Sequence, residues 1–219
     1  FNVDEDAAKG SVLQQTEGRN LLDAVHDADP TQVHYFSLAD PNVAKLFSLV
    51  TSNGKPEFRV ADATLIDFEE ASHFDVNVTV SDSNIPPGTS VGIVRIVVND
   101  VNEQPRFSGV KSASVAENLP SGEYIHEGRM SDYASDPDDT STGPFANPPT
   151  SFGKSAFVFS VGSCAPLVDG GCPFNVDPST GQLSSAMAFD FETLSSFVVV
   201  VKVRDGEGGL EASTRVEIE

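Results

Sequence analysis

The chain has 219 residues, 39% of them hydrophobic, enough for one large core or two ordinary ones. Its 33 Asp and Glu against 13 Lys and Arg give a net charge of −20. Such a surface repels nucleic acid and anionic membrane; on composition alone it serves either solubility or the binding of hard cations.

Fifteen Phe stand against two Met and no Trp, a balance that tilts the chain toward strands. No run approaches the roughly 20 apolar residues of a membrane span. The first motif, "VDEDAAKGSV" (3–12), reads Val-x-Glu-Asx with a glycine five residues after Glu5. "HDAD" (26–29) follows, an Asp-x-Asp built from Asp27 and Asp29. "LIDFEEASHFDVNVTVSD" (65–82) opens on Asp67, Phe68 and Glu69. Its Phe74, Val76, Val78 and Val80 then alternate with Asp75, Asn77 and Thr79, a half-buried strand that ends at Asp82. Asn77-Val78-Thr79 is also a glycosylation sequon. "GIVRIVVND" (92–100) reads as another strand and runs into "VVNDVNEQPRF" (97–107), where Asn99, Asp100, Asn102, Glu103 and Gln104 crowd before Pro105.

The second half repeats the first. "VAENLPSGEY" (115–124) carries Glu117, "SDPD" (135–138) carries Asp136 and Asp138, and "AFDFETLSSFVVVVKVRD" (188–205) carries Asp190, Glu192 and Asp205. "STRVEIE" (213–219) alternates again. The offsets are 112 at the first Glu, 109 at the Asp-x-Asp and 123 from the Asp-Phe-Glu onward. The halves are therefore collinear, with about 14 extra residues in the second. Short strands between Gly, Pro and Asp turns, without a helical period, predict an all-β sandwich architecture.

Cys164 and Cys172 lie in the Pro- and Gly-rich "SCAPLVDGGCPF", with seven residues between them. A local disulfide is the expected state, because a zinc site typically needs four ligands, and it implies an oxidising compartment. His26, His34, His73 and His126 have no metal-ligand spacing, and the chain contains no nucleophile elbow and no phosphate-binding glycine loop. The sequence therefore does not predict an enzyme. Each acidic motif alone is accounted for by a turn or a solvated strand end. The same acids in the same order twice are not.

Together these motifs resemble cadherin extracellular repeats over essentially the whole chain. The resemblance rests on Val-x-Glu-Asx, Asp-x-Asp, "FNVDPSTGQL" (174–183), Asp-Phe-Glu, the strands ending in Asp82 and Asp205, and "DVNEQPRF". It implies two tandem seven-stranded Greek-key β-sandwiches, immunoglobulin-like, joined end to end by a short linker. The expected repeats are 1–101, cut short within its first strand, and 102–219, with an insertion around 139–173. The short start is suggested by Phe1, four residues before Glu5, whereas Phe107 stands ten before Glu117.

The resemblance also implies up to three calcium ions at the junction. Their ligands would be Glu5, Asp67 and Glu69 of the first repeat. The linker would add Asp100, the Val101 carbonyl, Asn102, Glu103 and the Gln104 carbonyl, and the second repeat Asp136, Asp138 and Asp205. Asp27, Asp29 and Asp82, and likewise Glu117, Asp190 and Glu192, would be half-sites toward adjacent repeats of a longer ectodomain. The implied role is a calcium-dependent adhesion or recognition module of a plasma-membrane protein, outside the cell. It would bind other cadherin-like ectodomains, homophilically or heterophilically, with no nucleic acid and no direct membrane contact. The alternative is a non-adhesive mechanical spacer. Without Trp, the Trp-anchored strand exchange of classical cadherins is not supported.

Two departures stand out. The family linker resembles Asp-x-Asn-Asp-Asn-x-Pro; here Glu103 and Gln104 replace Asp and Asn, and one residue before Pro105 is missing. "DDTSTG" (138–143) stands where the family often has Gly-x-Asn.

Overall fold

The alternating segments form strands in the computed structural model, which describes residues 1–15, 20–29, 31–109, 112–138, 157–206 and 209–219. The chain divides into two units, Phe1–Val101 and Asn102–Glu219.

The first unit contains β1 (Asn2–Asp4), β2 (Tyr35–Leu38), β3 (Phe47–Ser52), β4 (Lys55–Val60), β5 (His73–Ser81) and β6 (Thr89–Asn99). One sheet has the order β1-β6-β5-β2, with β1 parallel to β6 and the other neighbours antiparallel. The β3–β4 hairpin forms the opposing layer, and Val12 bridges to Arg59 at its edge. The alternation in β5 decides which face turns inward: Val76 and Val78 are buried, while Asp75 and Asn77 are exposed. The hairpin turns at Asn53-Gly54, both at positive φ, the backbone that two-residue hairpin loops require. Phe47, Phe58, Val76 and Ile96 are fully buried between the layers. Truncating Phe58 to Ala would cost about 3–5 kcal/mol.

The second unit contains β7 (Arg106–Phe107), β8 (Ser112–Ala113), β9 (Tyr124–Arg129), β10 (Ala134–Ser135), β11 (Val158–Ala165), β12 (Phe174–Val176), β13 (Gln182–Ser185), β14 (Phe197–Arg204) and β15 (Glu211–Ile218). Its larger sheet, β11-β14-β15-β8, repeats the first unit's order, including a parallel first-to-last pair. The second layer is β12-β13-β9, and β10 pairs with β7. In the first unit the segment at Val12 holds, by one bridge to β4, the place that β9 holds against β13. The core is a cluster of Phe174, Phe189 and Phe197, with ring centroids 5.1–5.2 Å apart, under Val199, Val201 and Val203 of β14. Both units are sandwiches of immunoglobulin-like type.

The Cys164–Cys172 disulfide is present and closes the loop after β11, with Cα atoms 5.4 Å apart. Of the expected insertion, 139–156 lies outside the described residues, as does "DDTSTG" beyond Asp138; 157–173 supplies β11 and the disulfide loop. Among the described residues, no helix is long and apolar enough to cross a membrane.

Candidate metal centre

In the first unit, the parallel β1–β6 pairing sets Asp4 opposite Asn99, whose side-chain amide donates to Asp4 at 2.7 Å. That register carries Glu5 to the end of β6, beside Asp100. Glu5 is buried, and its two carboxylate oxygens accept different backbone N–H groups, each at 2.7 Å: Oε1 that of Val101 and Oε2 that of Phe68. One side chain thus ties the Asp-Phe-Glu turn to the start of the linker. One carboxylate oxygen each of Glu5, Glu69 and Asp100 lies within 4.8 Å of the others. Asp67 stays outside this group: it is exposed, and its Oδ1 accepts the Glu70 N–H at 3.0 Å.

In the second unit, the rest of the linker lies against Asp138 and Asp205. The Asn102 amide donates to Asp205 Oδ2 at 2.9 Å, and the Glu103 N–H donates to Asp138 Oδ2 at 2.8 Å. Asp205 ends β14 and is only 1% exposed; its Oδ1 accepts the Gly209 N–H at 2.6 Å. Asp136 and Asp138 follow β10 and are both buried, with the Asp138 N–H donating to Asp136 Oδ1 at 3.2 Å. Burial pushes the Asp136 carboxyl up to about 6, and the charges of Asp138 and Asp205 push the same way.

Two oxygens decide what this set can hold. Asp136 Oδ2 and Asp138 Oδ1 are buried and have no hydrogen-bond donor among the described residues. An ionised carboxylate oxygen in that position is costly unless a cation or donor meets it. With only carboxylate and amide oxygens around it, the set fits a hard divalent ion such as calcium and not a soft one.

The remaining acids are placed differently. Glu117, Asp190 and Glu192 bring oxygens within 4.8 Å of one another, but all three are exposed. Asp190 accepts the Glu192 N–H at 3.1 Å and the Thr193 hydroxyl at 2.9 Å; the latter leads in holding its carboxyl below the usual range. Asp27 accepts the Asp29 N–H and contacts His34 Nε2, both at 2.9 Å, and Asp29 accepts from Thr31. Asp82 accepts the Asn84 and Gly88 N–H groups at 3.0 and 2.9 Å. These carboxylates cap their own turns.

The resemblance implies only a backbone role for Gln104. The structure uses its side chain, whose amide donates to the Glu211 carbonyl. Arg106, also unremarked in the sequence, sets its guanidinium 3.7 Å from the Glu103 carboxylate. Neither had a local signal: the Gln104 partner is 107 positions away.

No family model matches the chain. Human protocadherin gamma-B4 is 25% identical over 206 residues, covering 92% of this chain and 20% of the relative. Mouse protocadherin Fat 4 is 28% identical over 224 residues, covering 98% of this chain and 4% of the relative. The chain thus spans a fifth or less of the length of these relatives. The solved protocadherin gammaB7 EC3-6 cis-dimer superposes with a TM-score of 0.61 at 22% identity, over 99% of this chain and 46% of that one. That likeness carries the fold.

Proposed function

Because the chain is built of cadherin repeats of the non-classical kind, we propose that it is a calcium-dependent adhesion or recognition module of an extracellular ectodomain. It is an adhesion-type chain and not an enzyme. The observation that carries the calcium reading is the pair of buried carboxylate oxygens, Asp136 Oδ2 and Asp138 Oδ1, that no donor among the described residues meets.

The residues that would hold calcium are Glu5, Glu69 and Asp100 on one side of the linker and Asn102, Glu103, Asp136, Asp138 and Asp205 on the other. Asp67 and the carbonyls of Val101 and Gln104 would complete the set. When bound, calcium supplies a double positive charge and takes roughly six to eight oxygens. The chain does the positioning. Glu5 holds the Val101 N–H and Asp138 holds the Glu103 N–H, so the two ends of a three-residue strip are each clamped by a carboxylate. Without a cation these carboxylates repel one another, and the clamp is weakest. Up to three ions would sit along the strip, and binding them would stiffen the joint between the repeats. The partners proposed are other cadherin-like ectodomains and adjacent repeats of the same protein.

Small-angle scattering with and without calcium tests the joint; an unchanged profile and flexibility would end this reading. Calcium-dependent aggregation of beads coated with the chain tests adhesion. Beads that stay dispersed while the joint stiffens would mark a spacer.

A further inference from the structure

The outward face of the first unit's larger sheet is unusual. Along β6 it presents Val91, Ile93 and Val97, which are 62%, 74% and 39% exposed, with Arg95 among them. The matching strand of the second unit, β15, presents Glu211, Ser213, Arg215 and Glu217 outward. Val91 and Ile93 are adjacent exposed apolar side chains, set off from Val97 by Arg95, which pairs with Asp75, and an exposed apolar patch marks a surface that meets a partner or a cover.

The register supplies one. Asn77 lies directly opposite Ile93, and Thr79 directly opposite Val91. Asn77 is exposed, and its side-chain amide makes no hydrogen bond among the described residues. Asn77, Val78 and Thr79 form the acceptor triplet for asparagine glycosylation, with no proline at the middle position. In the second unit the pair matching Asn77 and Ile93 is Val200 and Arg215, so the polar and apolar strands change places and no acceptor is present.

We propose that Asn77 carries an N-linked glycan that lies over Val91 and Ile93 and bars this sheet face from pairing with another protein surface. The proposal rests on the extracellular reading above. In the transfer, the Asn77 amide nitrogen bonds to the anomeric carbon of a lipid-diphosphate-linked oligosaccharide. The bond from that carbon to the phosphate oxygen breaks, the lipid diphosphate leaves with the electron pair, and the amide proton passes to a base of the transferase. The modified chain gains a bulky, hydrated group where it has only aliphatic side chains.

The experiment secretes the 219-residue chain from glycosylating animal cells and reads its mass before and after treatment with a peptide-N-glycosidase. A mass loss is expected in the parent and in Thr79→Ser, and none in Asn77→Gln or Thr79→Ala. Peptide mapping then assigns the sugar to Asn77. An unmodified Asn77 in a chain whose Cys164–Cys172 disulfide has formed overturns the proposal and leaves the extracellular reading standing; a chain with both thiols free overturns the compartment instead. Sedimentation tests the cover. Asn77→Gln should self-associate or bind a hydrophobic dye more strongly than the parent, and adding Val91→Thr and Ile93→Thr should reverse this. A glycosylated parent and an Asn77→Gln variant that are equally monomeric and equally dye-silent refute the shielding role.

Discussion

Equivalent acids of the two repeats have different fates. Glu5 matches Glu117, yet Glu5 is buried and grips two backbone N–H groups, while Glu117 is exposed. Asp136, Asp138 and Asp205 match Asp27, Asp29 and Asp82, yet the first three are buried and the others cap turns at or near the surface. Of the buried members, Glu5, Asp138 and Asp205 accept hydrogen bonds from the strip running from Val101 to Glu103, and Asp136 accepts the Asp138 N–H. Residue type therefore does not set a carboxylate's surroundings; burial and the backbone amides that reach it do.

The largest test of this contrast is Glu5→Ala against Glu117→Ala. Losing Glu5 leaves the Phe68 and Val101 N–H groups without their acceptor, at about 1–3 kcal/mol each. Denaturant unfolding in chelator should show Glu5→Ala destabilised by about 2–4 kcal/mol and Glu117→Ala changed by less than about 0.5 kcal/mol. Equal effects would erase the distinction.

Asp136→Asn should move two properties in opposite directions. Removing a charge that burial penalises should raise stability without calcium by about 1 kcal/mol. The same change should weaken calcium binding at least about tenfold, because ligand charge sets affinity. Asp29→Asn should do neither. A loss of stability in Asp136→Asn would show that the Asp136 charge is already compensated by protein groups.

The pH dependence follows in sign. The folded Asp136 carboxyl titrates at about 6, above its ordinary value of 3.8, so folding favours its protonated form. Its penalty on the calcium-free fold is fully present above about pH 6 and is relieved as pH falls toward 4. Calcium must displace that proton, so apparent affinity should fall from pH 7.5 to pH 5.5. An affinity flat over that range would contradict the assignment. A small effect is expected from Gln104→Ala, which removes one exposed hydrogen bond to Glu211 and should cost about 0.5 kcal/mol.

The sequence carried the strands with strong alternation well. The runs at β5, β14 and β15 were legible because one face of each is buried and the other is wet. The β3–β4 hairpin was not anticipated, although Asn53-Gly54 is a strong turn signal. The parallel pairing of β1 with β6 had no local signal at all, since it joins residues about 95 positions apart. At the site, repetition identified the acids, and the order of motifs named their family. It could not rank them. Burial of Asp205, the exposure of Asp67 and the partner of the Gln104 side chain are set by tertiary packing, which the local motifs do not carry.

The central claim is that calcium is held by the acids along the linker. A calorimetric calcium titration of the chain beside Asp100→Ala and Asp190→Ala variants tests it most directly. The account predicts saturable binding of up to three ions in the parent and in Asp190→Ala, and its loss in Asp100→Ala. Binding that survives Asp100→Ala and disappears in Asp190→Ala, or no binding in the parent, would contradict it.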